Sequence, residues 1–457
     1  MFQSGIIRPM KSISELGLRV PEILLPKNID LKSWSVIACD QYTQDRDYWK
    51  KAAEAAGTKP STLNLILPEV YLGDGDKAER IQAIRKTMKE YLESGVFDQA
   101  RKAFVYIERK TAFGRTRKGL VAQIDLETYE WKPFSKANIR ATEATIVDRI
   151  PPRKEIRKGA PLELPHIMLL VNDKDDLLVG GAGKIVKDKN PLYQGQLMCN
   201  GGSITGWALE SQSDLDYLTD ALNKIADANR AADGSTFLFA VGDGNHSLAT
   251  AKAVWDEYKA ELLAGGASEE DLKENPVRFA LIEIVNIYDS GLTFEPIHRV
   301  IFKADVDTLI KKLAGELSGA VSELESAEKL ESAVKASHAD FGFVYKENGV
   351  QKYKLLHTDI KELAVSRFQP LVDEFLKAAC SACQDASKAP EIDYIHGSEE
   401  VFRLGAQENT VAILLPPIAK DSFFETINGR GPLPRKSFSM GEADEKRFYL
   451  ECRKLFG

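Results

Sequence analysis

Apolar side chains recur at Ile81, Ile84, Met88 and Tyr91, at Leu215, Leu218, Leu222 and Ile225, and at Val306, Leu309, Leu313 and Leu317. Spacings of three and four place each set on one face of a helix. Between them lie short, densely apolar runs at residues 104–108, 120–124, 167–171, 237–241, 279–285 and 411–415. Their length and branched or aromatic content predict strands. Asn348-Gly349 separates two such runs, 341–345 and 350–356, and its tolerance of positive φ predicts a tight hairpin turn. A second hairpin is expected around Gly114. Helices do not alternate one for one with single strands. The pattern therefore predicts a mixed α/β (α+β) protein, with mixed sheets and antiparallel hairpins covered by amphipathic helices, rather than a doubly wound parallel sheet.

The chain has 457 residues, 44% of them hydrophobic, enough for a sizeable core and two or three structural units. No repeat or low-complexity linker marks a boundary. Segments near Pro161 and Lys303 suggest an N-terminal lobe (1–160), a central lobe (161–303) and a C-terminal α/β lobe (304–457), or one integrated unit. With 61 basic and 68 acidic residues the net charge is −7, and no polybasic segment is present to neutralise phosphates along a nucleic acid. No apolar stretch is long enough to span a membrane, and residues 1–10 carry no apolar signal core. Five cysteines, an odd number, suit a reducing compartment better than a disulfide framework. These features point to a cytoplasmic protein whose partners are small molecules. Cys380 and Cys383 read either as half a zinc site or redox pair, or as two small residues on a helix over 368–386; no second pair completes four ligands.

Candidate chemistry concentrates at residues 236–250, where an apolar strand runs into Gly242-Asp243-Gly244-Asn245-His246 and a helix follows from about Ser247. Glycines let backbone approach a ligand, and the free N–H groups and dipole of a helix start favour an anion. Asp243 could bind a metal or act as a base. His246 could donate to a phosphoryl oxygen or shuttle a proton, its ordinary pKa being near 6.5. The alternative is an Asp-Gly turn capped by Asn or Ser without chemistry. His298-Arg299 offers a bidentate cation for phosphate or carboxylate, or a surface ion pair. Arg435-Lys436 sits in a loop defined by proline and glycine, again either an anion clamp or an exposed basic loop. Residues 139–149, with Arg140 and Glu143, read as a solvated helix face. Gly180-Gly-Ala-Gly183-Lys184 lacks the opening glycine and the Ser/Thr of a nucleotide loop, and it and residues 200–203 are expected to be loops. Neither a Gly-x-Ser-x-Gly elbow nor a His-Glu-x-x-His helix occurs.

The order of these segments is more specific than any one of them. Ile7-Arg8-Pro9-Met10, Arg140-Ala-Thr-Glu143, Asp148-Arg149, Asp243-Gly-Asn-His246, Pro296-Ile-His298-Arg299, Ile392-Asp-Tyr-Ile-His-Gly397, Leu415-Pro-Pro417 and Leu433-Pro-Arg-Lys436-Ser437 resemble the domain-of-unknown-function 1015 family over nearly the whole chain. That family's hallmark is Asp-Gly-His-His-Arg. Here Asn245 replaces the first His and Ser247 stands in place of Arg, so the chain looks like a divergent member. The hallmark is in turn similar to one in the ParB/sulfiredoxin fold, which includes nucleotide-dependent free-serine kinases.

The resemblance implies a ParB/sulfiredoxin-like core in which Asp243, Gly244, Asn245 and His246 line a phosphate site. Arg8, Arg140, His298, Arg299, Arg435 and Lys436 are then candidate clamps. The activity it implies is nucleotide-dependent phosphotransfer to a small hydroxylated metabolite such as serine. Glu143 or Asp243 would be the base, with ATP or ADP as donor and Mg²⁺ bridging phosphates, Asp243 being its candidate ligand. A hydrolase of a phosphorylated metabolite and a non-catalytic nucleotide or metabolite binder are the alternatives.

Overall fold

The computed structural model describes residues 9–383, 385 and 388–457. The chain forms two compact units, one of residues up to Leu292 together with Glu442–Gly457, the other Thr293–Gly441. This partition differs from the divisions suggested near Pro161 and Lys303.

The first unit is built on a ten-stranded mixed sheet. In chain order its strands are β1 (Leu18–Arg19), β2 (Phe104–Lys110), β3 (Thr116–Asp125), β4 (Tyr129–Glu130), β5 (Ile139–Ala141), β6 (Met168–Val171), β7 (Tyr193–Gln196), β8 (Ser203–Leu209), β9 (Phe239–Asp243) and β10 (Phe279–Asn286). Their spatial order is β7-β8-β2-β3-β10-β6-β9-β5-β4, with β1 paired to β3. The β2–β3 pair is the hairpin expected around Gly114. The β10–β6, β9–β5 and β5–β4 pairs are parallel, while β9–β6 is antiparallel. Central strands such as β6 and β10 are buried along their whole length. This explains why they read as continuous apolar runs rather than alternating ones.

The longer helices described in this unit are α1 (Arg46–Ala56), α2 (Lys77–Glu93), α3 (Ile150–Arg157), α4 (Val179–Val186), α5 (Gln212–Ala228) and α6 (Asn245–Ala264). Ile81, Ile84 and Met88 of α2 and Leu218, Leu222 and Ile225 of α5 are buried, as their spacing predicted. Helix α4 corrects the loop expected at Gly180–Gly183. A Cβ on Gly181 would fall 1.9 Å from the Tyr217 hydroxyl, and one on Gly183 2.6 Å from Tyr106 Cζ. The glycines serve close helix packing rather than a turn. Residues 139–149 are likewise not a helix face, since Ile139, Arg140 and Ala141 lie buried in β5.

The second unit carries a six-stranded sheet of β11 (His298–Phe302), β12 (Ala320–Leu324), β13 (Phe341–Glu347), β14 (Val350–His357), β15 (Glu391–Ile395) and β16 (Thr410–Leu414), ordered β12-β14-β13-β16-β11-β15. Asn348 and Gly349 take φ of +50° and +77° between β13 and β14, the turn their sequence predicted. Val300, Leu330, Val344, Val401 and Ala412 form its core. Cys380 lies on the helix Ala364–Ala382, and Cys383 follows it directly. Among the described residues no helix is long and apolar enough to cross a membrane.

Candidate active site

The Gly-Asp-Gly-Asn-His segment ends β9 and opens α6 in the first unit. Register against β6 shifts between Val241 and Asp243, a bulge that re-aims the Asp243 side chain at the strand end. Gly244 then turns the chain with φ +82°, and a Cβ there would meet Ile167 Cγ1 at 3.0 Å. Only glycine suits both constraints. Thr142, just after β5, locks the turn. Its hydroxyl donates to the Val241 carbonyl (2.5 Å) and accepts from Asn245 Nδ2 (3.2 Å), and its backbone N–H donates to Asn245 Oδ1 (3.2 Å). The Asn245 amide, expected to bind ligand, is engaged in holding the motif together.

Asp243 faces Lys446, whose Nζ stands 3.5 Å from Oδ2. Burial raises the Asp243 carboxyl above its ordinary value; Lys446 opposes that shift, the nearby Asp40 charge adds to it and His166 works against it. A carboxyl held in this way is a candidate acid or base. His246, on the first turn of α6, accepts the Ile146 N–H at Nε2 (3.2 Å), which leaves its proton on Nδ1. Burial, then the charges of Arg149 and Arg153, lower its pKa to about 4. At neutral pH it is thus a neutral hydrogen-bond donor rather than the proton shuttle its ordinary pKa suggested. Arg153 pairs with Glu69.

Next to this turn, His166 Nε2 lies 2.8 Å from Ser247 Oγ and 3.9 Å from Asp40 Oδ2, and its Nδ1 lies 3.0 Å from the Tyr449 hydroxyl. That hydroxyl also accepts the Cys39 N–H at 3.2 Å. His166, Ser247, Tyr449 and Cys39 line a cavity of about 140 Å³ whose other walls include Leu65, Leu67, Met88, Ile156 and Leu162. Asp40, His166, Lys446 and Tyr449 are not marked out by the sequence. Each stands in a stretch without motif or periodicity.

Lys446 and Tyr449 arrive by long-range docking of the C-terminal segment. Arg447 is fully buried between Glu283 Oε2 (2.5 Å) and Glu451 Oε2 (2.6 Å), and it donates to the Pro165 carbonyl (3.2 Å). Arg117 shares Glu283 at 3.2 Å. Isolated bridges Ile37–Phe448 and Leu24–Cys452 complete the seam.

The other sequence candidates fall elsewhere. Glu143 is half-buried, one residue past Thr142. Arg140 is buried with its guanidinium 4.5 Å over the Phe237 ring and Nε donating to the Ala137 carbonyl (2.8 Å), so packing uses its charge. Arg8 lies outside the described residues. His298, Arg299, Arg435 and Lys436 belong to the second unit. Arg299 is neither a surface residue nor an open clamp. It is fully buried, donates to Gln369 Oε1 (2.6 Å) and the Ile297 carbonyl (2.5 Å), and stacks 4.7 Å over Tyr394. His298 Nδ1 accepts the Leu415 N–H at 3.1 Å, and burial lowers its pKa to about 4. Arg435 and Lys436 are exposed on a turn in which Lys436 has φ +61° and Ser437 Oγ donates to the Pro434 carbonyl. Among the described residues no three His, Cys, Asp or Glu side chains are grouped to hold a metal ion. Asp40 and Asp243 suit only a cation that takes one or two carboxylates and fills its other positions from substrate and water, as Mg²⁺ does.

A mixed α/β protein with its polar cluster at a strand-to-helix turn is the class that fold and geometry define. The chain belongs to the protein family of unknown function DUF1015, whose model matches residues 23–375. No curated protein matches it. Among solved structures it is similar to a conserved hypothetical protein from Pyrococcus furiosus (12% identity, TM-score 0.35, 73% of this chain and 94% of that one). It is also similar to a free serine kinase in complex with AMP (11%, 0.35, 73% and 92%) and to SbnI from Staphylococcus aureus (10%, 0.34, 73% and 87%).

Proposed function

We propose that the first unit is a phosphate-handling enzyme, and most concretely a nucleotide-dependent phosphotransferase acting on a hydroxyl of a small metabolite such as serine. The observation that carries this reading is the Asp243–Lys446 pair. A half-buried carboxyl, raised in pKa, faces an ammonium at 3.5 Å where the bulged end of β9 meets the free N–H groups of α6. In this reading Asp243 takes the proton of the attacking hydroxyl. Lys446 and the His246 Nδ1–H stabilise charge on the transferring phosphoryl group, with Arg149 and Arg153 adding positive potential. ATP or ADP is the donor. Mg²⁺, for which Asp40 is the available carboxylate beside Asp243, would neutralise phosphate charge when bound.

Phosphorus NMR tests this with Mg²⁺ present, one sample holding ATP or ADP plus serine and another phosphoserine alone. New phosphoserine in the first sample, abolished by Asp243→Asn, is the expected result. Inorganic phosphate growing only in the second would reassign the site to a phosphatase. Silence in both samples together with retained nucleotide binding would make the protein a binder.

A further inference from the structure

One polar contact at the α6 start is not used by phosphotransfer. Ser247 occupies the position where the family hallmark carries Arg, and its Oγ lies 2.8 Å from His166 Nε2. His166 is 9% exposed, and its imidazole is held from the far side by the Tyr449 hydroxyl at Nδ1 (3.0 Å), with the Asp40 carboxylate 3.9 Å from Nε2. A hydroxyl, a base within hydrogen-bond reach and a third group orienting that base form the arrangement of an activated nucleophile. Ser247, His166 and Tyr449 all open onto the cavity of about 140 Å³, whose remaining wall is chiefly aliphatic, with Glu69, Arg153, Arg157 and Glu163 as its charged members. The aliphatic part of this wall accepts a short hydrocarbon chain, and the two arginines are already paired, Arg153 with Glu69 and Arg157 with Glu163.

We propose that Ser247 and His166 form a nucleophile–base pair that cleaves carboxylic esters whose short aliphatic acyl chain occupies the adjoining cavity. Ser247 Oγ attacks the ester carbonyl carbon while its proton passes to His166 Nε2. The C–O bond to the alcohol breaks, and the alcohol leaves with that proton. Water then attacks the acyl-serine, gives its proton to His166, and the carboxylic acid is released as Ser247 recovers its proton. The N–H groups of the first α6 turn, which have no partner within the helix, are the donors nearest Ser247 for the carbonyl oxygen as it becomes negative. Asp40 stabilises the imidazolium formed in each half-reaction.

The test needs neither nucleotide nor phosphate, so it fails or succeeds independently of the phosphotransferase reading. The full-length protein is treated with a butyl fluorophosphonate probe and digested, and the labelled residue is located by mass spectrometry. In parallel, hydrolysis of p-nitrophenyl butyrate and p-nitrophenyl dodecanoate is followed. Labelling at Ser247 is expected, with the butyrate preferred. His166→Gln should slow both labelling and hydrolysis by about 100-fold, the scale of losing a general base, and Tyr449→Phe, which keeps the ring, should slow them less. Thermal melting of each variant shows whether it is folded. Absence of label on Ser247 in the folded wild type would overturn the proposal. So would a labelling rate matching that of urea-unfolded protein, or one unchanged in a folded His166→Gln variant.

Discussion

Lys446 Nζ stands 3.5 Å from Asp243 Oδ2, and the ammonium acts on the protonation of the carboxyl. Burial drives Asp243 toward its protonated form, and the ammonium is the largest influence opposing that drive. Replacing Lys446 by Gln removes the opposition and leaves the burial. The Asp243 titration midpoint, followed by carbon NMR of the labelled carboxyl, is expected to rise above its wild-type value. A midpoint that stays or falls would mean that the ammonium does not act on this carboxyl.

The turn itself makes a sharper demand on sequence than the charges do. Gly244 has φ +82° and a Cβ there would meet Ile167 at 3.0 Å, whereas Gly234 has φ +84° with nothing within 4 Å. Gly234→Ala bears only the left-handed backbone cost of about 1–2 kcal/mol. Gly244→Ala bears that cost and the contact with Ile167 as well. Denaturant unfolding should therefore show the larger loss at Gly244, and equal losses would mean that Ile167 yields freely.

Protonation of His246 couples the site to acid stability. Its pKa is near 6.5 in an unfolded chain and about 4 in the folded protein, so the unfolded state binds the proton more readily. Stability from this residue is constant above about pH 6.5 and declines as pH falls toward 4. His298, also lowered to about 4, acts in the same direction. His246→Gln should therefore flatten part of the acid limb of a stability–pH curve. An unchanged limb would show that the ring titrates normally.

Arg447 holds the C-terminal segment in place. With one guanidinium bridging Glu283 and Glu451 in a buried setting, Arg447→Met leaves buried carboxylates short of a partner, an effect of about 3–5 kcal/mol. The urea midpoint should fall by a corresponding amount. A loss below 1 kcal/mol would mean that water or Arg117 compensates.

Local signals in the sequence were legible because they depend on neighbours in the chain. The helical periodicity of α2 and α5, the Asn348-Gly349 hairpin and the strand–Gly-Asp-Gly–helix turn all belong to that class. Arg140 and Arg299 are not legible in the same way, because a sequence does not distinguish a cation that meets a ligand from one that stacks on Phe237 or Tyr394. The packing role of Gly181 and Gly183 is hidden for a related reason, since the tyrosines that require them lie elsewhere in the chain. His166, Asp40 and Lys446 had no local signature at all. Their proximity depends on register in a ten-stranded sheet and on a buried ion network joining Arg117, Glu283, Arg447 and Glu451.

The chain path through the two units also imposes an order of events during synthesis. The second unit is one continuous stretch, Thr293–Gly441, whereas the first is finished only by Glu442–Gly457, the segment that brings Lys446, Arg447 and Tyr449. As the ribosome releases the chain from its N-terminus, the inserted unit has all of its residues before the polar cluster has its ammonium. Until then Asp243 lacks its counter-charge and Glu283 lacks Arg447. Chemistry that relies on Lys446 or Tyr449 is therefore withheld from the nascent protein until residues 442–457 have emerged and docked.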